Sequence, residues 1–167
     1  MKLAQKNVKI WNDFFEERII LDYIVNKTEV KQSVHRSLNW VSRAGLRPTK
    51  QRIKLAQLLI GDGKNKHITA ESLFELVRNS NVSVSLATVY NTLKAFCDVG
   101  LINEVMVDGG KSYFDTRLDD HPHFFWEDTG AISDAPSESL QINNLPNPPN
   151  EYEITKVDVI IRLKRSK

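Results

Sequence analysis

From Ser85 to Gly100 the chain sets Leu86, Val89, Leu93 and Phe96 at positions i, i+3, i+7 and i+10. This spacing forms one apolar stripe on an α-helix; on a strand the same residues would fall on both faces. Ser85 stands where an N-cap hydroxyl is wanted, and Gly100 where a helix closes. The other face carries Ala87, Thr88, Tyr90, Asn91 and Lys94, which are small or polar rather than a second apolar stripe. A helix anchored on one side and open on the other suits insertion into a DNA major groove. Thr88 and Tyr90 can reach phosphate, Ala87 and Tyr90 can meet thymine methyls, and Asn91 suits adenine.

The neighbouring segments fit the same plan. Pro48 and Thr49 open a helix, with Thr49 as N-cap and Ile53, Ala56, Leu59 and Ile60 as its buried stripe up to Gly61. Residues 61–66 are a loop by composition. Thr69 caps the next helix, in which Leu73, Phe74, Leu76 and Val77 are expected to face inward. After the Ser85 helix, residues 103–107 and 111–115 alternate around Asp108-Gly109-Gly110, a hairpin pattern. Three short helices followed by a hairpin is the element order of a winged helix-turn-helix. Upstream, Val8 to Val25 and Val30 to Arg43 read as two helices, arm-like elements without enough core of their own. Downstream of a polar link at 117–122, His123–Trp126 and Tyr152–Leu163 read as strands, the second preceded by the rigid turn at 146–150. So small a second unit is expected to place its strands at a dimer interface. The fold class is α+β, with boundaries at residues 1–41 (helical extension), 42–117 (winged helix) and 118–167 (dimerisation unit).

Charge divides along the same lines. Residues 1–117 hold 18 Lys/Arg against 12 Asp/Glu, whereas residues 118–155 hold eight acids and no base, and the tail from Lys156 turns basic again. Such asymmetry suits one polyanion-binding part and one part with another role. The stretch from Arg43 to Lys54 contains five basic residues and no acid; Arg47, Lys50, Gln51 and Arg52 lie at a helix start, where phosphate or a narrow minor groove can be met. Taken singly, each base also reads as a solvated surface charge. With one cysteine, Cys97, the chain can form neither an internal disulfide nor a structural zinc site of four cysteines. It has no apolar run of the roughly 18 residues a membrane span needs and no apolar signal segment at its start, so a cytoplasmic protein without membrane contact is expected.

Over about residues 42–167 the sequence resembles the ferric uptake regulator (Fur) family. The resemblance rests on Ala44-Gly45-Leu46-Arg47-Pro48-Thr49-Lys50-Gln51-Arg52, His67 to Leu73, Ser85-Leu86-Ala87-Thr88-Val89-Tyr90-Asn91-Thr92-Leu93, Gly109 to Asp115 and His121-Pro122-His123. Within the family it looks most like the iron response regulator (Irr) branch, through Val84-Ser85-Leu86 and residues 152–163; the first 40 or so residues show no match. The resemblance implies a homodimer on AT-rich double-stranded operators. It places Tyr90 on bases, Arg47 near the minor groove, and Arg52 and Thr88 on phosphate.

Two histidines stand as His121-x-His123, a spacing that in extended chain turns both rings to one side. Read without relatives, His67 is a loop histidine and Asp115 a strand-end acid. The resemblance implies a regulatory site drawing on His67, Asp115, His121, His123 and Asp134. Nitrogen and oxygen donors without thiolate suit Fe²⁺ or Mn²⁺, with Zn²⁺ as competitor. Asp115 with Asp134 resembles the peroxide-sensing members, in which iron-catalysed histidine oxidation releases DNA. Where many relatives carry the cysteines of a structural zinc site, this chain has Trp126 and Thr129, and Cys97 is followed by Asp98 rather than by the proline of a haem-binding Cys-Pro motif. Haem through histidine stays open. The expectation is a metal- or haem-responsive repressor of iron-homeostasis or peroxide-stress genes. A constitutive winged-helix module without metal sensing is the alternative. No nucleophile–base pair accompanies the histidines, so the chain is read as not an enzyme.

Overall fold

The structure is a computed structural model that describes residues 27–108 and 110–166. The helix expected over Val8 to Val25 lies outside the described residues. The first described helix, α1, covers residues 27–43. There follow α2 (Lys50–Ile60), β1 (His67–Ile68), α3 (Ala70–Arg78), α4 (Leu86–Asp98), the hairpin β2 (Asn103–Asp108) and β3 (Lys111–Asp115), β4 (His123–Trp126), β5 (Ala131–Asp134) and β6 (Ile160–Leu163). Among the described residues no helix is long and apolar enough to cross a membrane.

One device starts α2, α3 and α4. The hydroxyls of Thr49, Thr69 and Ser85 accept the backbone N–H of Arg52, Ser72 and Thr88 at 3.3, 3.1 and 3.1 Å, each satisfying a donor that the first helical turn would leave open. The ends of α1 and α4 are also alike. Gly45 and Gly100 adopt φ of +76° and +69°. The next residue's N–H then reaches back to close the turn, Leu46 to the Val41 carbonyl at 3.2 Å and Leu101 to that of Phe96 at 2.9 Å.

The helices enclose a core of Val41, Leu55, Ala56, Leu59, Leu73, Val77, Val89, Leu93 and Phe96, each fully buried. In α2 the buried stripe is Leu55, Ala56 and Leu59, with Ile53 and Ile60 only half-buried at its flanks. In α3 it is Ala70, Leu73 and Val77; Phe74 is half-buried and Leu76 lies exposed, because at 100° per residue both fall on the edges of the stripe. The Val30–Arg43 helix, without a core of its own, packs on the neighbouring helices. Ser37 and Val41 are buried in the main core, and α1 runs without a break through the expected boundary at residue 41.

Among the described residues the strands form two three-stranded sheets, β1-β3-β2 and β5-β4-β6. The strand expected over Tyr152–Leu163 is only Ile160–Leu163. A strand persists where a ladder partner exists, and β4 offers four residues, His123 to Trp126, paired one for one with residues 160–163. Ile154 and Val157 stay exposed. The short strands β1 and β5 were not expected. The two sheets meet through Val105, Val107, Tyr113 and Phe125, with Ile132 and Ile160 packed against them. The Tyr113 hydroxyl donates to the Gly130 carbonyl, and Arg162 Nη2 to the Val107 carbonyl at 2.5 Å. The wing is thereby bound to the C-terminal sheet.

Candidate metal centre and DNA-facing helix

Two strand registers bring the histidines and acids together. On the wing, the β1–β3 pairing puts His67 directly across from Asp115; on the second sheet, the β4–β5 pairing puts His123 across from Asp134. The link between β3 and β4 supplies His121. Each sheet thus contributes one imidazole and one carboxylate, and the packing of wing on sheet points both pairs into the same space. His67 Nε2 lies 3.3 Å from Asp115 Oδ2 and 3.0 Å from Asp134 Oδ1. His121 Nε2 is 3.2 Å from both of those oxygens, and His123 Nε2 is 3.4 Å from Asp115 Oδ2. All five donor atoms fall within 4.8 Å of one another.

The burial of these groups is their chemical argument. Asp115 is fully buried and His123 nearly so, while His67 Nε2, His121 Nε2 and Asp134 Oδ1 are buried with no hydrogen-bond partner. Each such group costs about 1–3 kcal/mol of desolvation, and a cation at their meeting point would answer all three. The His121 ring is already set for this. Its Nδ1–H donates to the Asp119 carbonyl at 2.7 Å, which leaves Nε2 of the neutral ring as a donor atom facing the cluster. Burial alone would raise the Asp115 carboxyl; the neighbouring His123 and His67 rings and the Arg117 backbone N–H outweigh it and hold the group below the ordinary carboxylate range. Three nitrogens and two carboxylate oxygens fit Fe²⁺, Mn²⁺ or Zn²⁺. Cys97 takes no part: it is half-buried on α4, and burial, then Glu104 and Asp98, push its thiol up to about 11.

All five residues singled out as donors are therefore juxtaposed. Sequence reasoning missed Arg117. Its guanidinium bonds Asp134 Oδ2 at 2.9 Å through Nη1 and Asp119 through Nε and Nη2, and its backbone N–H donates to Asp115 Oδ1 at 2.8 Å. Its position between two acids, Asp115 and Asp119, was the only signal available.

On α4, Val89, Thr92, Leu93 and Phe96 are buried, whereas Ala87, Tyr90, Asn91 and Lys94 are exposed. Thr88 is half-buried, its hydroxyl 2.9 Å from that of Ser85, and the Tyr90 hydroxyl donates to the Glu71 carboxylate on α3. Arg47, Lys50 and Gln51 are exposed and Arg52 is half-buried, its Nη1 on the Arg47 carbonyl at 3.1 Å. The Gln51 amide reaches the Ser83 carbonyl at 3.2 Å, so the basic start of α2 lies against the turn that leads into α4.

The family model described as the ferric uptake regulator family matches residues 43–161. A peroxide-responsive repressor, PerR, of Staphylococcus aureus is 28% identical over 127 residues, covering 75% of this chain and 84% of that one. Among solved structures, the ferric uptake regulator from Pseudomonas aeruginosa with manganese is 25% identical, with a TM-score of 0.56, over 76% of this chain and 96% of that one. The ferric uptake regulator of Vibrio cholerae, at 23% identity and a TM-score of 0.56, covers 75% of this chain and 96% of its own and shows the fold. The matched span takes in the three capped helices, the wing and all five donors: the chain belongs to the ferric uptake regulator family, whose members regulate transcription and are not enzymes.

Proposed function

We propose that this protein is a metal-gated, DNA-binding repressor of iron-homeostasis or peroxide-stress genes, acting in the cytoplasm as a homodimer. The observation that carries the reading is the donor cluster, because its atoms come from both sides of the wing–sheet junction. A divalent ion held there would supply positive charge between two carboxylates and three imidazoles. His67 and Asp115 hold the wing end of that cluster, His123 and Asp134 hold the sheet end, and His121 holds the link. Their separation sets the tilt of the wing, and with it α4, relative to the C-terminal sheet. In a dimer built on that sheet the tilt decides whether two α4 helices match successive major grooves, about 34 Å apart. The working unit that reads DNA takes in α1 as well as residues 42–117, since Ser37 and Val41 complete its core; residues 118–167 form the dimerisation unit.

Tyr90 and Ala87 support a preference for thymine, hence for AT-rich operators, and Arg47, Lys50 and Arg52 support phosphate contact. Asn91 stands ready for adenine, Thr88 for phosphate, and Gln51 holds the basic segment beside α4. The carboxylate at Asp134 and the similarity to a peroxide-responsive repressor support iron or manganese as the ion. Val84-Ser85-Leu86 and residues 152–163 support a place near the Irr branch. Donor atoms within 4.8 Å of one another leave room for a single ion and not for a macrocycle, which favours a metal over haem. The orphaned Nε2 and Oδ1 atoms favour a sensor over a constitutive module.

The test is an anaerobic titration of the protein with Fe²⁺, Mn²⁺, Zn²⁺ and haem, following retention of duplex DNA enriched from a random pool. One ion per chain and a change in retention are expected; retention indifferent to every addition would contradict the reading. Tyr90→Ala is expected to weaken discrimination between sequences more than binding to random DNA.

A further inference from the structure

The five donors are not equally held. The side chains of Asp115, His121, His123 and His67 are between 1% and 10% exposed, whereas Asp134 is 34% exposed. Packing restrains the first four, but Asp134 sits at the rim on a four-residue edge strand. A carboxylate so placed can rotate, swing into solvent or turn both oxygens inward.

Arg117 removes that freedom. Its Nη1 takes Asp134 Oδ2 at 2.9 Å, which leaves Oδ1 turned toward His67 and His121 at 3.0 and 3.2 Å. Its backbone N–H does the same for Asp115, taking Oδ1 at 2.8 Å so that Oδ2 faces the three histidines. The rest of the guanidinium forks onto Asp119, at 2.8 Å through Nε and 2.6 Å through Nη2, and it is the Asp119 carbonyl that fixes His121 Nδ1. One residue therefore touches both carboxylate donors and the segment that orients a third ligand. The planar guanidinium suits this task, because its donors can hold two carboxylates at fixed angles.

We propose that Arg117, which is not itself a ligand, is the positioning residue of the metal centre: it limits Asp134 to one inward oxygen and ties that donor to Asp115 and His121. The role rests on the metal reading above and adds to it. Outer contacts of this kind commonly change metal affinity about 10–100-fold.

Co²⁺ is a suitable probe, since its visible absorption reports coordination directly. Titration of the full chain and of Arg117→Ala is expected to show affinity lower by about 10–100-fold in the variant, with an altered visible spectrum. Arg117→Lys is expected to recover part of the loss, because an ammonium can meet one carboxylate but cannot fork across two; it carries the same test if Arg117→Ala does not fold. The backbone N–H to Asp115 survives either substitution, so the variants report the guanidinium alone. Asp134→Ala is expected to show a comparable loss, and adding Arg117→Ala to it a further loss smaller than Arg117→Ala causes alone, as required of a residue that acts in part through Asp134 and in part through the Asp119–His121 contact. Wild-type affinity and spectrum in Arg117→Ala, or losses that simply add in the double variant, would overturn the Arg117 role while the wild type still binds Co²⁺. Failure of the wild type to take up Co²⁺ would overturn the metal reading itself, and this role with it.

Discussion

The helical part and the C-terminal sheet are built on different terms. Around α4 the large side chains Phe96, Leu93, Leu55, Leu59 and Leu73 are sealed from solvent, and three capped helices close on one another. The second sheet has, among the described residues, three four-residue strands and one large buried apolar side chain, Phe125, which packs on the wing; Leu118, Trp126, Ile142, Leu145, Tyr152, Ile154 and Val157 remain exposed. The helical part closes its own large core, completed by Ile68, Ile102 and Phe114 from the wing and the turn into it. The sheet depends on the wing on one side, leaves apolar side chains exposed, and shares the donor cluster across the junction. A regulator needs this inequality: a rigid reader, and a more weakly held partner whose pose a ligand can set.

The sharpest way to break the comparison is to empty each core in turn. Phe96→Ala is expected to cost about 3–5 kcal/mol and to unfold the helices, read by urea denaturation with far-UV circular dichroism. Phe125→Ala is expected to loosen the sheet while helical ellipticity persists. Equal loss of helix in both variants would show that the two parts are one cooperative core. Next in size is the metal. Mn²⁺ at a hundredfold excess over its Kd is expected to stabilise the wild type by about 2.7 kcal/mol, and the double variant His121→Ala, His123→Ala to show none of this; an unchanged shift would place the ion elsewhere.

Acid probes the same junction without metal. The Asp115 carboxyl is held below its unfolded value of about 3.9, so its contribution to stability is present above that pH and is lost as pH falls toward the folded value. In chelator, stability is expected to fall with acid in the wild type and less steeply in Asp115→Asn; identical slopes would show that Asp115 is not so held. The smallest effect belongs to the reader alone. Ser85→Ala removes the cap on α4 and is expected to cost about 1 kcal/mol, without altering the metal-induced shift in melting temperature.

What could be read in the sequence follows from where the determining forces act. Thr49, Thr69, Ser85, Gly45 and Gly100 act within a few residues of themselves, so helix starts and ends were legible. The 152–163 run alternates as a strand should, but alternation cannot reveal that β4 supplies only four partners. Strand β1, of two residues, is too short to show a period, and β5, Ala131-Ile132-Ser133-Asp134, lacks the aromatic run that marks the equally short β4; both are defined by their ladders. Leu76 is apolar, yet only the packing of α3 decides that it stays outside. His121-x-His123 was legible as a pair, while His67, Asp115 and Asp134 joined it through the resemblance, because two separate strand registers bring them there. Arg117 was marked only by its place between two acids, since its fork onto Asp119 and Asp134 and its backbone bond to Asp115 arise in space.

The central claim is that occupancy of this junction changes how α4 meets DNA. The direct measurement is the affinity for a fluorescent duplex, enriched from a random pool, by anisotropy at fixed salt, with Mn²⁺ and with chelator, in the wild type and in His121→Ala, His123→Ala. The expected result is a difference of about 5–150-fold between the two conditions in the wild type and none in the variant. Equal affinity with Mn²⁺ and with chelator in the wild type would contradict the account.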